Sequence, residues 1–262
     1  MGLKSPLNYL GGKSRLAERI VELIPEDHTC YCEPFCGAAW VFFNRDTPSQ
    51  VEVINDADGD LVNFWRICQN HLEEFLRYYR FAVVSRKIFE IEGMKRVETL
   101  TDVQRAVRYY YLQKACFGGK TSGRTFGTSA LSPSGLNLTT IEERLLEVHW
   151  RLSRVTIENL DACSCIHRYD RPTTFFYLDP PYWKTAGYAV KFGPEEYHRL
   201  NKVLLSIKGR FLMSLNDAPD IRKIYRSFRI RKVTTTYSSA NGRSSRSGRS
   251  IQRDEVIIDN MG

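Results

Sequence analysis

At 262 residues, of which 42% are hydrophobic, the chain can bury a sizeable core as one large domain or as a domain with an inserted lobe. That composition excludes wholesale disorder, and no apolar run approaches the length of a membrane span. A net charge of +8 suits a polyanionic partner, and its distribution sharpens the point: Ile221 to Arg253 holds ten Lys or Arg residues and no acid.

The N-terminus, MGLKSPLNYL, has neither the apolar core nor the cleavage site of a secretion signal. Its sixth residue, Pro6, breaks the myristoylation pattern, so a cytoplasmic location is expected. Seven cysteines, an odd number, argue for reduced thiols. Cys30, Cys32 and Cys36, and Cys163 with Cys165, lack the paired spacing of zinc sites and a nearby His. They read as small buried residues at strand ends and turns, and no metal is expected.

In chain order, Lys13 to Ile24 carries a helical apolar stripe that Pro25 ends. Residues 29–33 (TCYCE) predict a strand, PFCGAA a turn, and a short helix follows through Phe43. Residues 51–55 (VEVIN) predict the next strand, punctuated by DADGD. From Gly59 to Cys116 the pattern is helical, and Phe117 to Asn137 is a Gly, Ser and Thr-rich loop too long for a simple turn. Thr140 caps a further helix with Leu145, Leu146 and Leu152 on one face. Strands return at 155–158, 174–178, 210–215, 228–237 and 255–259, with helices near 194–207 and 219–227. The alternation predicts a largely parallel α/β sheet of seven strands with an inserted helical lobe. No helix separates the last two strands, so they should pair as an antiparallel edge.

Gly11-Gly12-Lys13-Ser14 looks like a phosphate loop. The G-x-x-x-x-G-K-[ST] pattern would need Gly at position 7, which is Leu7, and a buried strand ahead of it. The triphosphate reading fails on both counts. Cys32-Glu33-Pro34-Phe35-Cys36-Gly37 lies between a strand and a helix, where a Gly lets backbone approach a ligand. The next strand ends in Asn55-Asp56, where an acid would hold a ribose diol. The two together point to an adenosine-containing cofactor, and the absence of G-x-G-x-x-G disfavours NAD.

The decisive segment is FFYLDPPYW. A buried strand runs into Asp179-Pro180-Pro181-Tyr182, at the strand end where α/β folds bind ligands. The prolines remove two donors, which leaves carbonyls and a carboxylate as acceptors beside a flat ring. That combination suits a planar group bearing an amino substituent. The competing reading is a stiff loop with a helix-capping Asp.

Asp179-Pro180-Pro181-Tyr182, following Phe35-x-Gly37 and Gly11-Gly12-Lys13, resembles the Dam-like, alpha-type DNA adenine-N6 methyltransferases over nearly the whole chain, including SLND (214–217) and EVIIDN (255–260). The resemblance implies a Rossmann-like seven-stranded methyltransferase sheet, formed by residues 1–58 and 154–262, that uses S-adenosylmethionine. It implies a mainly helical target recognition lobe at 59–153, and double-stranded DNA as the partner. By the same resemblance, Tyr9 to Lys13 lies against the methionine part of the cofactor, with Lys13 near the target base. Glu33, Pro34, Phe35 and Gly37 form the cofactor turn, Asp56 holds the ribose hydroxyls, and Asp161 holds the adenine amino group. Asp179 and the Pro180 carbonyl accept from the target amino group, with Pro181 stiffening the loop and Tyr182 stacking on the flipped ring. Lys120 and Arg124, in the Gly-rich loop, fall where such enzymes carry a base-reading hairpin; Arg124 suits either a guanine or a phosphate contact. Arg243, Arg246 and Arg249, spaced by three among small residues, suit DNA phosphates.

The family's usual Phe-x-Gly-x-Gly ends here in Ala39, which a negative φ would accommodate and whose methyl group would crowd the cofactor. The alternatives are an RNA or protein methyltransferase of the same fold, against which Asp179 rather than Asn weighs, and a DNA-binding relative without catalysis, against which the intact tetrapeptide weighs. A monomer, and a restriction endonuclease as partner in the same system, complete the expectation.

Overall fold

The computed structural model describes residues 2–8, 13, 16–128, 134–185, 187–188, 190–237 and 251–262, with backbone alone at 235–237 and 251–253. Seven strands form one sheet: β1 (Cys30–Glu33), β2 (Val51–Asn55), β3 (Thr156–Glu158), β4 (Thr174–Leu178), β5 (Arg210–Asn216), β6 (Arg229–Tyr237) and β7 (Ile251–Asp259). Their order is β3-β2-β1-β4-β5-β7-β6. The first five run parallel, and β7 pairs antiparallel with both β5 and β6. The expected seven strands and antiparallel edge are therefore present.

Strand side chains alternate between two faces. In β4, Phe175 and Tyr177 enter one core, while Phe176 and Leu178 enter the other. This explains why TFFYL reads as a continuous apolar run: both faces of the strand are covered. The first face is packed by α1 (Ala17–Val21), α2 (Trp40–Asn44) and the helices between β2 and β3. The second is packed by α8 (Ala162–Tyr169), α9 (Pro194–Leu204) and α10 (Pro219–Ile224).

Between β2 and β3 stand α3 (Gly59–Asn70), α4 (Leu72–Tyr79), α5 (Arg86–Met94), α6 (Asp102–Ala115) and α7 (Ile141–Leu152). Asp58 caps α3 through the Asp60 and Leu61 amides, and Thr101 with Gln104 forms a capping box on α6. Phe64 of α3 stacks on Tyr110 of α6 at 5.4 Å, and both share a core with Tyr31 and Phe175 of the sheet. Among the described residues no helix is long and apolar enough to cross a membrane.

Several local expectations need correction. The first helix spans Ala17–Val21, shorter than 13–24, and Lys13 lies ahead of it with its carbonyl accepting from the Leu16 and Ala17 amides. Thr140 stands at the start of α7 but makes no capping hydrogen bond with its side chain. On α7 the buried stripe is Ile141, Leu145, Val148 and Leu152; Leu146 faces outward, about 100° round the helix from Leu145. Cys163 and Cys165 sit on α8 rather than in a turn, and both are buried.

The turn after β1 holds a larger surprise. Gly37 has φ 48°, as a Gly allows, but Ala39 has φ 52°, so the negative φ that would accommodate an Ala is not met. The Ala39 amide donates to the Cys36 carbonyl at 2.6 Å, and its carbonyl takes the first α2 bond from Phe43. The chain must reverse within the few residues between Glu33 and Trp40, and this forces the left-handed angle on a residue with a Cβ. Such an angle costs an L-residue roughly 1–2 kcal/mol. Ala39→Gly relieves this, offset by about 0.4–1 kcal/mol from the looser unfolded chain. Removing the buried methyl group costs about another 0.8 kcal/mol, so the three terms nearly cancel and Tm should move by less than about 2 °C. A fall of several degrees in Ala39→Gly, as expected for an unstrained buried alanine, would show that the turn is not strained.

Candidate active site

The strand order reverses between β1 and β4, whose C-terminal ends are neighbours. In an open α/β sheet a ligand crevice forms at such a switch point. Here β1 delivers Glu33-Pro34-Phe35, and β4 delivers Asp179-Pro180-Pro181-Tyr182.

Lys13 binds the second of these. Its side chain is 1% exposed, and its Nζ lies 2.8 Å from Asp179 Oδ1 and 3.7 Å from Glu255 Oε2. Nζ also donates to the Tyr182 hydroxyl and lies 4.3 Å from the centre of its ring. Burial opposes the charge on Lys13, but Asp179 and Glu255 outweigh it and hold the ammonium well above its ordinary pKa. Burial also raises the Asp179 carboxyl, against the pull of Lys13. Ser214 donates to Asp179 Oδ1 at 3.2 Å. With that proton committed, the Tyr177 hydroxyl, 2.9 Å from Ser214 Oγ, is the donor to Ser214. Among the described residues no bond engages Asp179 Oδ2 or the Pro180 carbonyl, whereas the Pro181 carbonyl accepts from Tyr197. Asn216 pins the far end of the tetrapeptide by accepting from the Trp183 amide at 2.8 Å and donating to the Trp183 carbonyl at 3.3 Å.

Beside this cluster is a cavity of about 260 Å³. Its walls include Lys13, Glu33, Phe35, Gly37, Asp56, Asp161 and Asp179, so the structure brings together site residues contributed by β1, β2, β4 and α8. Pro34 accepts through its carbonyl from Asn55 at 2.8 Å, which ties the first turn to the end of β2. Asp56 accepts from the Gly37 amide and from the Asp58 amide, both at 2.9 Å. Each carboxylate oxygen retains a second lone pair for a ligand hydroxyl. Burial pushes its pKa up to about 6. Asp161 caps α8 through Ser164 and meets Arg199 at 2.7 Å. Burial pulls its carboxyl up, but the Ser164 and Arg199 bonds prevail and leave it below its ordinary value. Ala39 is fully buried and does not line the cavity, so its methyl group is turned into the core, away from the ligand space.

A family model described as D12 class N6 adenine-specific DNA methyltransferase matches residues 9–239. The chain belongs to this family. It is 27% identical to the type II methyltransferase M.CviBI of Paramecium bursaria Chlorella virus NC1A, over 98% of this chain and 100% of that protein. It is 27% identical to the type II methyltransferase M1.LlaDCHI of Lactococcus lactis subsp. cremoris, over 100% and 97% of the two chains. It is 23% identical to the DNA adenine methylase of Haemophilus influenzae, over 87% and 84%.

In this methyltransferase the Gly-rich loop after α6 closes as a small hairpin. The Phe117 amide donates to the Thr125 carbonyl, and the Gly127 amide to the Ala115 carbonyl, both at 2.8 Å. Gly118, Gly119 and Gly123 all have φ between 59° and 72°, which explains the glycine content. Lys120 is exposed. Arg124 is half-buried; it donates to Gln113 Oε1 at 3.0 Å and to the Lys120 carbonyl at 3.1 Å, over the Tyr109 ring. Tyr9, Gly11, Gly12, Arg243, Arg246 and Arg249 lie outside the described residues.

The sequence reading missed Tyr177, Ser214, Asn216 and Glu255 as parts of the site. The usable signal was present: a polar side chain inside each apolar run, Ser214 in RFLMSL and Glu255 opening EVIID.

Glu33 supplies a pH-dependent test. It is 1% exposed and accepts from the Tyr31 hydroxyl at 2.6 Å. Burial pushes its pKa up to about 8, against that hydrogen bond. The folded protein thus keeps a proton that the unfolded chain releases above about pH 4.5. Glu33 imposes no penalty below the unfolded pKa, and stability is lost progressively as pH rises towards 8. Glu33→Gln should therefore gain stability over the wild type as pH rises from 5 to 8 in denaturant unfolding. A constant gap between the two proteins at every pH would rule out the buried, protonated carboxyl.

Proposed function

We propose that this methyltransferase transfers a methyl group from S-adenosylmethionine to the exocyclic N6 of an adenine flipped out of duplex DNA at a specific site. The observation that carries this reading is the acceptor pair at the end of β4, Asp179 Oδ2 and the adjoining Pro180 carbonyl; Asp179 lines an acid-rich cavity. A donor-free pair of acceptors fits an amino group with two hydrogens. It does not fit a carbonyl or a phosphate.

A base inside the duplex cannot reach this cleft, so flipping costs a few kcal/mol. The Lys13 ammonium meets Tyr182 at its hydroxyl. A flipped adenine stacks on the Tyr182 ring. Accepting both amino hydrogens at Asp179 and Pro180 concentrates electron density on nitrogen and fixes the direction of its lone pair. Lys13, Ser214 and Tyr177 hold Asp179 in that orientation before substrate arrives, so little reorganisation is needed.

The cavity suits the cofactor. Phe35 and Gly37 offer a flat face and bare backbone, Asp56 suits the ribose hydroxyls, and Asp161 the adenine amino group. Glu33, Pro34 and the segment Tyr9 to Lys13 complete its surroundings. When bound, the cofactor supplies an electrophilic methyl group on a sulfonium.

Residues 1–58 and 154–262 form the catalytic part, and 59–153 reads the target. Lys120, Arg124, Arg243, Arg246 and Arg249 meet DNA. The bracing of Arg124 by Gln113 favours a guanine contact, because a fixed guanidinium fork suits bidentate base readout. Similarity over the full chain to two type II methyltransferases favours a restriction endonuclease as counterpart in the same system. We take the enzyme to act as a monomer.

The test is incubation with methyl-labelled S-adenosylmethionine and unmethylated bacterial DNA, followed by digestion and identification of the modified nucleoside. Label is expected in N6-methyladenine, with Asp179→Ala slower by about 10²-fold or more. Absence of label, or equal labelling by Asp179→Ala, would overturn the assignment.

A further inference from the structure

The Gly-rich loop that carries Lys120 and Arg124 also reaches the cofactor cavity. Thr121 is buried, and its Oγ1 donates to the Gly187 carbonyl at 2.8 Å. Gly187 has φ 106°, an angle that L side chains rarely adopt, so the carbonyl is presented to Thr121 by a backbone conformation available to Gly. The next residue, Tyr188, lines the cavity, and its hydroxyl accepts from the Tyr182 amide at 3.4 Å. Further along the same segment, Val190 and Phe192 also line the cavity, and the Phe192 ring meets Phe35 edge-on at 5.5 Å.

At its other end the loop is anchored by Gln113. The Gln113 amide is fully buried and donates to the Gly119 carbonyl at 2.8 Å and to the Asn8 carbonyl at 2.6 Å, while its Oε1 accepts from Arg124. Among the described residues, the Thr121 hydroxyl therefore joins the Gln113-anchored loop to one wall of the cavity.

We propose that Thr121 is a positioning residue that holds the wall formed by Tyr188, Val190 and Phe192 against the cofactor, so that the loop facing DNA and the cavity are coupled through its hydrogen bond. This rests on the cavity being the S-adenosylmethionine site. Without the bond, the wall keeps the Phe192 ring contacts with Phe35 and Tyr197 and the Tyr182–Tyr188 bond, but it loses its tie to the loop and the ligand dissociates more readily. By reciprocity, occupancy of the cavity stiffens the loop that carries Arg124.

Thr121→Val replaces the hydroxyl with a methyl group of similar size, and Thr121→Ser keeps the donor. Binding of S-adenosylhomocysteine, the demethylated product, is measured by calorimetry without DNA. Steady-state rates are then measured on unmethylated bacterial DNA. Thr121→Val should raise both the Kd for S-adenosylhomocysteine and the KM for S-adenosylmethionine by roughly 2- to 10-fold, the range for one neutral hydrogen bond. The kcat at saturating cofactor should stay within about 2-fold, and Thr121→Ser should restore both constants. A bond that serves folding alone would lower Tm and active fraction but leave Kd and KM unchanged. Unchanged constants in Thr121→Val, or equal values for the Val and Ser variants, would overturn the inference while leaving the methyltransferase assignment intact. Failure of the wild type to bind S-adenosylhomocysteine would instead sink the cofactor assignment and the inference with it.

Discussion

An ammonium group with 1% exposure must find anions or lose its charge, and in this protein the arrangement of the active site follows from how Lys13 meets that demand. The anions it finds come from two strands: Asp179 at the end of β4 and Glu255 in β7. Two carboxylates against one ammonium leave the cluster rich in acceptors. The surplus capacity sits on Asp179, whose Oδ2 faces no donor among the described residues. A carboxylate left without its cation here would be strongly disfavoured. The ion pair therefore serves less to stabilise the fold than to keep an acceptor ionised in a place where burial would neutralise it.

The sheet topology is what makes the cluster possible. Parallel strands carry Glu33, Asn55 and Asp179 to the same edge, but none of the parallel strands carries the second partner of Lys13. The antiparallel insertion of β7 between β5 and β6 supplies it, setting Glu255 opposite Asn216. Asn216 in turn holds Trp183, the residue that follows the tetrapeptide. The same strand pairing that closes the sheet thus fixes both the electrostatic partner of Lys13 and the path of the Asp179–Tyr182 tetrapeptide.

Much of this was legible in the sequence, for physical reasons. Strands β2 and β4 were bounded correctly because Asn55 and Asp179 end apolar runs abruptly where the chain meets solvent and ligand. The acceptor character of Asp179-Pro180 follows from side-chain chemistry alone. What stayed hidden depends on angles or distant partners. The identity of Ala39 does not reveal its φ of 52°; that comes from the tight path between β1 and α2. The outward turn of Leu146 could have been read from the helical period, since Ile141, Leu145, Val148 and Leu152 already complete a stripe. The partner of Lys13 in β7 and that of Thr121 at Gly187 come from far along the chain, and a Gly-rich loop gives no local pattern from which to find them.

The Gly-Gly-Lys segment shows how the same residue types can serve opposite electrostatics. In a phosphate loop the lysine stays available for an incoming anion, and backbone amides surround it. Here the lysine is already committed to Asp179 and Glu255, and the neighbouring cavity is lined by six acidic side chains, Glu33 held protonated among them, and three cations. Such a cavity repels a phosphate chain and favours a ligand that carries positive charge. The basic character of the chain is concentrated elsewhere, in the acid-free stretch from Ile221 to Arg253. A polyanion attracted by that stretch has no electrostatic reason to enter the cavity, and a cationic ligand has none to leave it. Segregation of charge along one chain thus gives ligands of opposite sign different electrostatic destinations.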